Sequence, residues 1–257
     1  MPEGDSLHRI AARLRPLVGL AVAASSPHPR GLLTGVAAAV DGRRLESVAA
    51  VGKHLSLRFE GGVTVTSHLR MNGRWRIGPV DSTRGGYPWL VLRAGGLEAT
   101  QWNGPVLTLD GRAVQRLGPD LLADDIDPAA LVVQLRRTEK TRLVGEVLQD
   151  QRLVAGIGNM WMSETLWAAR VSPWLDLGDV SDGELLEILG WARHAMRASV
   201  TGARPSRSVY RRVGRPCRRC GAPIRSRGQG DNNRTTYWCP GCQRGPAHGG
   251  FPTGGSG

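Results

Sequence analysis

Two cysteine pairs near the end of the chain constrain its fold more than any other feature. Cys217-x-x-Cys220 and Cys239-x-x-Cys242, eighteen residues apart, hold all 4 cysteines of the protein. Pairs at this spacing form a tetrahedral four-thiolate zinc site with metal–sulfur distances of about 2.3 Å. Four protein ligands close the coordination shell and leave no position for a substrate or an activated water. The expected cofactor is therefore one structural Zn2+, and what matters is the polypeptide it holds. Between the pairs, Asp231 to Trp238 reads as a turn, an arginine (Arg234) and a strand.

Charge points to what such a module would touch. The 257-residue chain carries a formal charge of +12, and the excess is localised. From Arg204 to Arg244 there are eleven arginines against one acid, Asp231. Clustering of this kind is the electrostatic footprint expected for a nucleic acid, although charge alone also suits a solvated basic tail or a ribosome-surface module. Of the 34 basic residues only Lys53 and Lys140 are lysines. Each is worth a question, because an ammonium can transfer a proton where a guanidinium effectively cannot.

No stretch of about 18 apolar residues is present, so no membrane span is expected. The start, Met1-Pro2-Glu3-Gly4-Asp5, is acidic where a signal peptide is basic. Four thiols arranged for zinc suit a reducing interior. The expected location is the bacterial cytosol, at the nucleoid.

The periodicities predict an α+β chain. Leu7, Ile10, Ala11 and Leu14 share one face of a leading helix. From about residue 20 to 115 the pattern is short strands with turns. Leu55, Leu57 and Phe59 alternate with Ser56 and Arg58, and Gly61-Gly62, Asn72-Gly73, Gly85-Gly86, Gly95-Gly96 and Asp110-Gly111 mark reversals. An antiparallel β-sandwich or partly open barrel is expected there. After a linker, Pro128 behind Asp127 opens a helical region with segments at 129–137, 143–149, 160–170 and 181–200. The last begins with the capping box Ser181-x-x-Glu184. The expected domains are a β-sandwich over residues 1–115, a helical domain over 116–204 and a zinc-finger β-hairpin over 205–243. A glycine- and proline-rich tail, 244–257, is expected to be disordered.

Several residues suggest chemistry. Methionine ahead of proline is commonly removed, and Pro2 would then carry a free secondary amine. An α-amino group titrates near 7.7–8.0, far below a lysine, so much more of it is unprotonated at neutral pH. Such an amine can attack a sugar carbon and form an iminium, with Glu3 beside it as an acid–base group. Lys53, in a turn entering a strand, is either an ordinary exposed lysine or a phosphate or acid–base lysine on a rigid edge. Gly156-Ile157-Gly158-Asn159 ahead of a helix makes a phosphate seat from backbone N–H groups, or an ordinary interhelical turn. Met71, beside the Asn72-Gly73 turn, is either core or a wedge for a base stack.

Together these motifs resemble the bacterial formamidopyrimidine-DNA glycosylase / endonuclease VIII family of base-excision repair, over about residues 1–243. The resemblance is carried by Met1-Pro2-Glu3-Gly4-Asp5, Gly52-Lys53-His54-Leu55, Ser67-His68-Leu69-Arg70-Met71 and Leu117-Gly118-Pro119-Asp120-Leu121-Leu122. It continues through Leu148 to Asn159 and ends with Arg234 five residues before the second cysteine pair.

The resemblance implies a bifunctional DNA glycosylase and abasic-site lyase. In it Pro2 attacks C1′ of the damaged nucleotide, Glu3 acts on the sugar, and Lys53 contacts phosphate and assists catalysis. Asn159 binds phosphate in a helix–two-turn–helix motif, Arg234 at the finger tip grips the phosphates flanking the lesion, and Met71 fills the hole left by the flipped base. Strand cleavage by β,δ-elimination then needs no redox cofactor. The implied partner is damaged DNA, and the expected protein is a monomer.

The stretch Gln101-Trp102-Asn103-Gly104-Pro105-Val106 lacks the Arg and Phe that mark the oxidised-purine enzymes. Gly4-Asp5 and Tyr237-Trp238-Cys239-Pro240-Gly241-Cys242 are similar to the endonuclease VIII branch, which implies oxidised pyrimidines. The alternatives are an oxidised-purine enzyme, a non-catalytic damage-binding paralogue, or a zinc-ribbon protein binding RNA or ribosomes.

Overall fold

The computed structural model describes residues 2–82, 85–231 and 233–246. Met1 and the tail beyond Pro246 lie outside the described residues. The chain divides into two compact units, Met1–Leu117 and Gly118–Gly257. No helix among the described residues is long and apolar enough to cross a membrane.

The first unit is a β-sandwich with a leading helix. Helix α1 (Gly4–Leu14) buries Leu7, Ala11 and Leu14, the stripe its 3.6-residue periodicity predicts. Strand β1 (Ala23–Ser25) is followed by two short helices, α2 (Pro29–Leu32) and α3 (Val36–Val40). Then come β2 (Leu45–Val51), β3 (His54–Phe59), β4 (Val63–His68), β5 (Arg74–Pro79), β6 (Leu90–Ala94), β7 (Leu97–Trp102) and β8 (Val106–Thr108). A one-turn helix, α4 (Arg112–Gln115), follows. Two four-stranded antiparallel sheets result, ordered β1-β6-β7-β5 and β2-β3-β4-β8. Leu55, Leu57 and Phe59 point inward with Val65, Leu92 and Ala99. Each fully buried leucine, valine or phenylalanine among them contributes roughly 1.5–3 kcal/mol relative to exposure.

Two expectations change here. Helices α2 and α3 interrupt the stretch expected to be strands throughout. Pro29 at the first turn, capped by the His28 side chain, starts one, and the alanine-rich Val36–Val40 buries Val36, Ala37 and Val40 in the other. The Asn72-Gly73 turn is also not a hairpin. Strand β4 pairs with β3 and β8 while β5 pairs with β7, so residues 69–73 carry the chain from one sheet to the other. Glycine is required at position 73, because a Cβ there would lie 2.5 Å from the Leu69 carbonyl oxygen and 3.0 Å from that of Asn103. True two-residue hairpins occur at Gly95-Gly96, both with positive φ as the tight turn demands, and at Gly52-Lys53.

The second unit is helical and ends in a hairpin. Helices α5 (Pro128–Arg136), α6 (Val144–Val147), α7 (Asn159–Ala168) and α8 (Asp182–Val200) enclose a core that includes Leu135, Leu148, Met162, Leu166, Ile188 and Leu189. Asp127 caps α5 through the Ala129 N–H. The capping box at Ser181 and Glu184 is present in both directions. Strands β9 (Arg225–Gln229) and β10 (Arg234–Trp238) pair in antiparallel register, Gln229 opposite Arg234. Val209, Ile224 and two of the cysteines form a small core of their own.

Candidate nucleic-acid interface and metal centre

In the first unit, Glu3 is the N-cap residue of α1 and is 1% exposed, with Pro2 before it half-buried. Helix α1 packs against β2 and β3, and Lys53 sits in the turn joining those two strands. Gly52 supplies the positive φ (57°) at the first turn position, which leaves Lys53 at the hairpin end, half-buried. So Pro2, Glu3 and Lys53 lie at the ends of elements that pack on one another. Met71 is 63% exposed on the crossover between the sheets, so it is a surface side chain and not core.

A histidine pair beside Lys53 completes this edge and was not singled out from the sequence. His54 and His68 oppose each other across β3 and β4, ring centroids 4.6 Å apart. His68 Nδ1 accepts the Arg70 N–H at 3.0 Å. Burial, then the charges of His54, Arg70 and Lys53, bring His68 down to about 4, and burial with Arg70 and Lys53 lowers His54. Both rings are neutral at pH 7, so the fixed charge of the edge comes from Lys53 and Arg70. A histidine whose pKa is depressed on folding binds its proton more readily when unfolded, so its stabilising effect is complete above about pH 6.5 and is lost as pH falls toward 4. Calorimetry from pH 7 to 4 should therefore show the wild-type Tm falling more steeply than that of His68→Gln.

In the second unit Asn159 and Arg234 lie on segments that are bonded to each other. Gly158 caps α7 and Asn159 is its first residue, 7% exposed. The Asn159 Nδ2 donates to the Thr235 carbonyl at 2.7 Å, which ties the start of α7 to the residue after Arg234. Arg234 opens β10 at the exposed tip of the hairpin. It also lines a polar cleft of about 470 Å³ with Arg142, Asp150, Arg152 and Gln229. There the Asp150 carboxylate accepts from Arg152 at 2.8 Å and from Arg142 at 3.3 Å. The Arg152 bond is the main reason Asp150 is held down to about 2.

The four cysteine sulfurs lie within 4.8 Å of one another. Cys217 and Cys242 are 3.8 Å apart and Cys220 and Cys239 3.4 Å, close to the ~3.8 Å edges of a tetrahedron with ~2.3 Å metal–sulfur bonds. The donor set therefore fits one tetrahedral metal ion. At Cys217 the surroundings favour thiolate: the Trp167 ring N–H and the Arg219 backbone N–H each donate to its Sγ at 3.4 Å. Burial alone would raise that thiol, but these donors bring it down to about 6, whereas burial and the contact with Cys220 push Cys239 up. Trp167 and Arg219 were not legible beforehand, since a tryptophan fifty residues from its sulfur carries no local signal.

Comparison with known proteins agrees with this architecture. The pattern of the formamidopyrimidine-DNA glycosylase N-terminal domain matches residues 1–105, and that of the formamidopyrimidine-DNA glycosylase H2TH domain matches residues 117–208. The chain is 38% identical to a probable endonuclease 8 2 of Streptomyces coelicolor, covering 96% of this chain and 95% of the relative. It is 33% identical to the DNA-(apurinic or apyrimidinic site) lyase Nei2 of Mycolicibacterium smegmatis, covering 95% and 99%. The fold is similar to Lactococcus lactis Fpg solved with abasic-site DNA, with a TM-score of 0.78 at 22% identity over 95% of this chain and 100% of that one. With this identity sustained over nearly the full length of both chains, the protein belongs to the formamidopyrimidine-DNA glycosylase / endonuclease VIII family.

Proposed function

We propose that this chain excises oxidised bases from DNA, pyrimidines in preference to purines, with Pro2 as nucleophile and Glu3 as its acid–base partner. As a member of its family it is a DNA glycosylase with abasic-site lyase activity in base-excision repair. The observation that carries the residue assignment is the N-terminal pair, a half-buried Pro2 followed by a Glu3 that is almost fully buried on the end of α1. An amine nucleophile beside a buried carboxyl is the pairing that amine-based covalent catalysis needs.

In this reading the Pro2 nitrogen bonds to C1′ as the bond from C1′ to the base breaks, and the base leaves with a proton. Loss of the amine proton and opening of the sugar ring give the iminium. Removal of a C2′ proton then expels the 3′ phosphate, and a second elimination releases the 5′ phosphate. Glu3 handles protons at the sugar. Lys53, Asn159 and Arg234 hold phosphates, and Met71 occupies the space left by the flipped base. The Asn159 amide gives one hydrogen to Thr235 and has a second for a phosphate oxygen. The ion held by the four cysteines is assigned as zinc, structural in role. The protein is assigned as a monomer of the cytosol.

The oxidised-pyrimidine assignment is supported by the endonuclease 8 and Nei2 names of the relatives and by the stretch 101–106, which starts at the end of β7. Where an Arg and a Phe would mark the purine enzymes, Trp102 bonds Thr100 Oγ1 at 3.0 Å and stacks with Arg74 at 5.3 Å. Borohydride trapping on matched duplexes carrying thymine glycol or 8-oxoguanine tests both levels. More covalent adduct on thymine glycol is expected. More on 8-oxoguanine overturns the lesion class, and no adduct on either overturns the catalytic assignment.

A further inference from the structure

One charged residue stands in the middle of an otherwise uncharged helix. In Trp161-Met162-Ser163-Glu164-Thr165-Leu166-Trp167, Glu164 is 8% exposed. Its Oε2 accepts the Ser208 N–H at 2.7 Å, and its Oε1 accepts those of Val209 at 2.9 Å and Tyr210 at 2.7 Å. An ionised carboxylate is an acceptor-only group with room for about four hydrogen bonds. Three consecutive backbone donors therefore match it, and they would not match a glutamine, whose NH2 would face N–H groups.

The position of those donors gives the contact its meaning. Residues 201–207 leave α8 without regular structure and are mostly exposed. At Ser208 the chain turns inward. Val209 joins Cys217, Ile224 and Cys239 in the core of the finger, and the Tyr210 ring packs edge-on against Tyr237 of β10 at 5.2 Å. Glu164 thus grips the chain where the exposed linker ends and the metal-binding module begins. Two further ties run along the same helix. Asn159 bonds the Thr235 carbonyl beside Arg234. At the other end, Trp167 donates to Cys217 Sγ, while its own carbonyl accepts from the Arg219 guanidinium at 3.0 Å. Immobilising free linker residues opposes conformational entropy, so a module attached only through 201–207 would be loosely aimed.

We propose that Glu164 is the positioning residue that fixes the metal-binding module on α7 and thereby aims Arg234 at the DNA backbone. Glu164 touches neither substrate nor metal. Its carboxylate sets how tightly DNA is held and leaves bond breaking unchanged. The inference rests on the assignment of Arg234 as a phosphate contact.

The test is a double-mutant cycle on the zinc-loaded full chain, with Glu164→Gln, Arg234→Ala and the pair. Metal content and Tm are measured alongside single-turnover excision over a range of enzyme concentrations. For Glu164→Gln, half-saturation is expected to rise by roughly ten- to a hundredfold, the scale of losing charge-assisted hydrogen bonds, with the saturated rate within about twofold of wild type. In the Arg234→Ala background the same change should add little, because the two residues act in series. Multiplying effects overturn the proposal, as does a fall in the saturated rate at unchanged half-saturation.

Should Glu164→Gln fail to retain metal, Glu164→Asp, which keeps the charge on a shorter stem, decides: weakened half-saturation supports the proposal and wild-type behaviour overturns it. Hydrogen exchange at Ser208 to Tyr210 separates this from a failure at Arg234. If Arg234→Ala binds normally, the Arg234 assignment falls, and unaccelerated exchange in Glu164→Gln then removes Glu164 as the anchor as well.

Discussion

A chain extended by even one residue ahead of Pro2 is expected to lose base excision and borohydride trapping by at least about a thousandfold, while binding abasic-analogue DNA within a fewfold of wild type. In the extended chain the proline nitrogen becomes an amide. Its lone pair is delocalised, and no covalent bond to C1′ can form. Loss of a covalent nucleophile typically removes several orders of magnitude in rate while leaving binding largely intact. The contrast with Glu3→Gln is informative. That variant keeps the amine and should still trap slowly on a pre-formed abasic site, because there the base has already gone. Intact-mass measurement of the processed chain, paired with single-turnover kinetics, checks the prediction. Trapping by the extended chain at the wild-type rate would remove Pro2 from the mechanism.

What was legible in the sequence follows from the range of the forces involved. Alternation in Leu55-Ser56-Leu57-Arg58-Phe59, the helical stripe of α1 and the capping box at Ser181 are local patterns, and each became the expected element. Cysteine spacing is local within each pair, and the tetrahedral geometry of a metal joins the pairs, so the cluster was legible as well. The crossover at Asn72-Gly73 was not, because a tight turn between two strands looks the same whether they pair with each other or belong to facing sheets. Helices α2 and α3 were missed for a related reason: five residues of Val-Ala-Ala-Ala-Val carry too short a period to distinguish helix from strand. His54 and His68 lie within recognisable motifs, but their contact depends on the register of β3 against β4. Glu164 carries a local signal, since a carboxylate on a largely apolar helix must find donors somewhere when buried. Its donors lie 44 to 46 residues away, beyond any local pattern.

Removing the metal should separate holding DNA from acting on it. The core that Val209 and Ile224 build around Cys217 and Cys239 is too small to stabilise a hairpin without a covalent or metal staple. For modules of this size the free energy of metal binding is largely the free energy of folding. Chelation, or Cys239→Ser, is therefore expected to unfold the segment from Ser208 to Gln243 and to release Arg234 from its place on β10. Affinity for damaged duplex near 0.1 M salt should fall by at least about a hundredfold. The slope of log affinity against log salt should also become shallower, since fewer phosphates are neutralised. The β-sandwich shares no ligand with the finger and should keep its own thermal transition. The Pro2 amine should keep its reactivity toward a small aldehyde under reduction, because nothing in its chemistry passes through the metal. Anisotropy titrations before chelation, after it, and after zinc is restored check the first claim, and reductive labelling of Pro2 checks the second. A chelated protein that still binds DNA with full affinity would mean that the finger is not the clasp. One that loses both binding and amine reactivity would mean that the metal supports the β-sandwich as well.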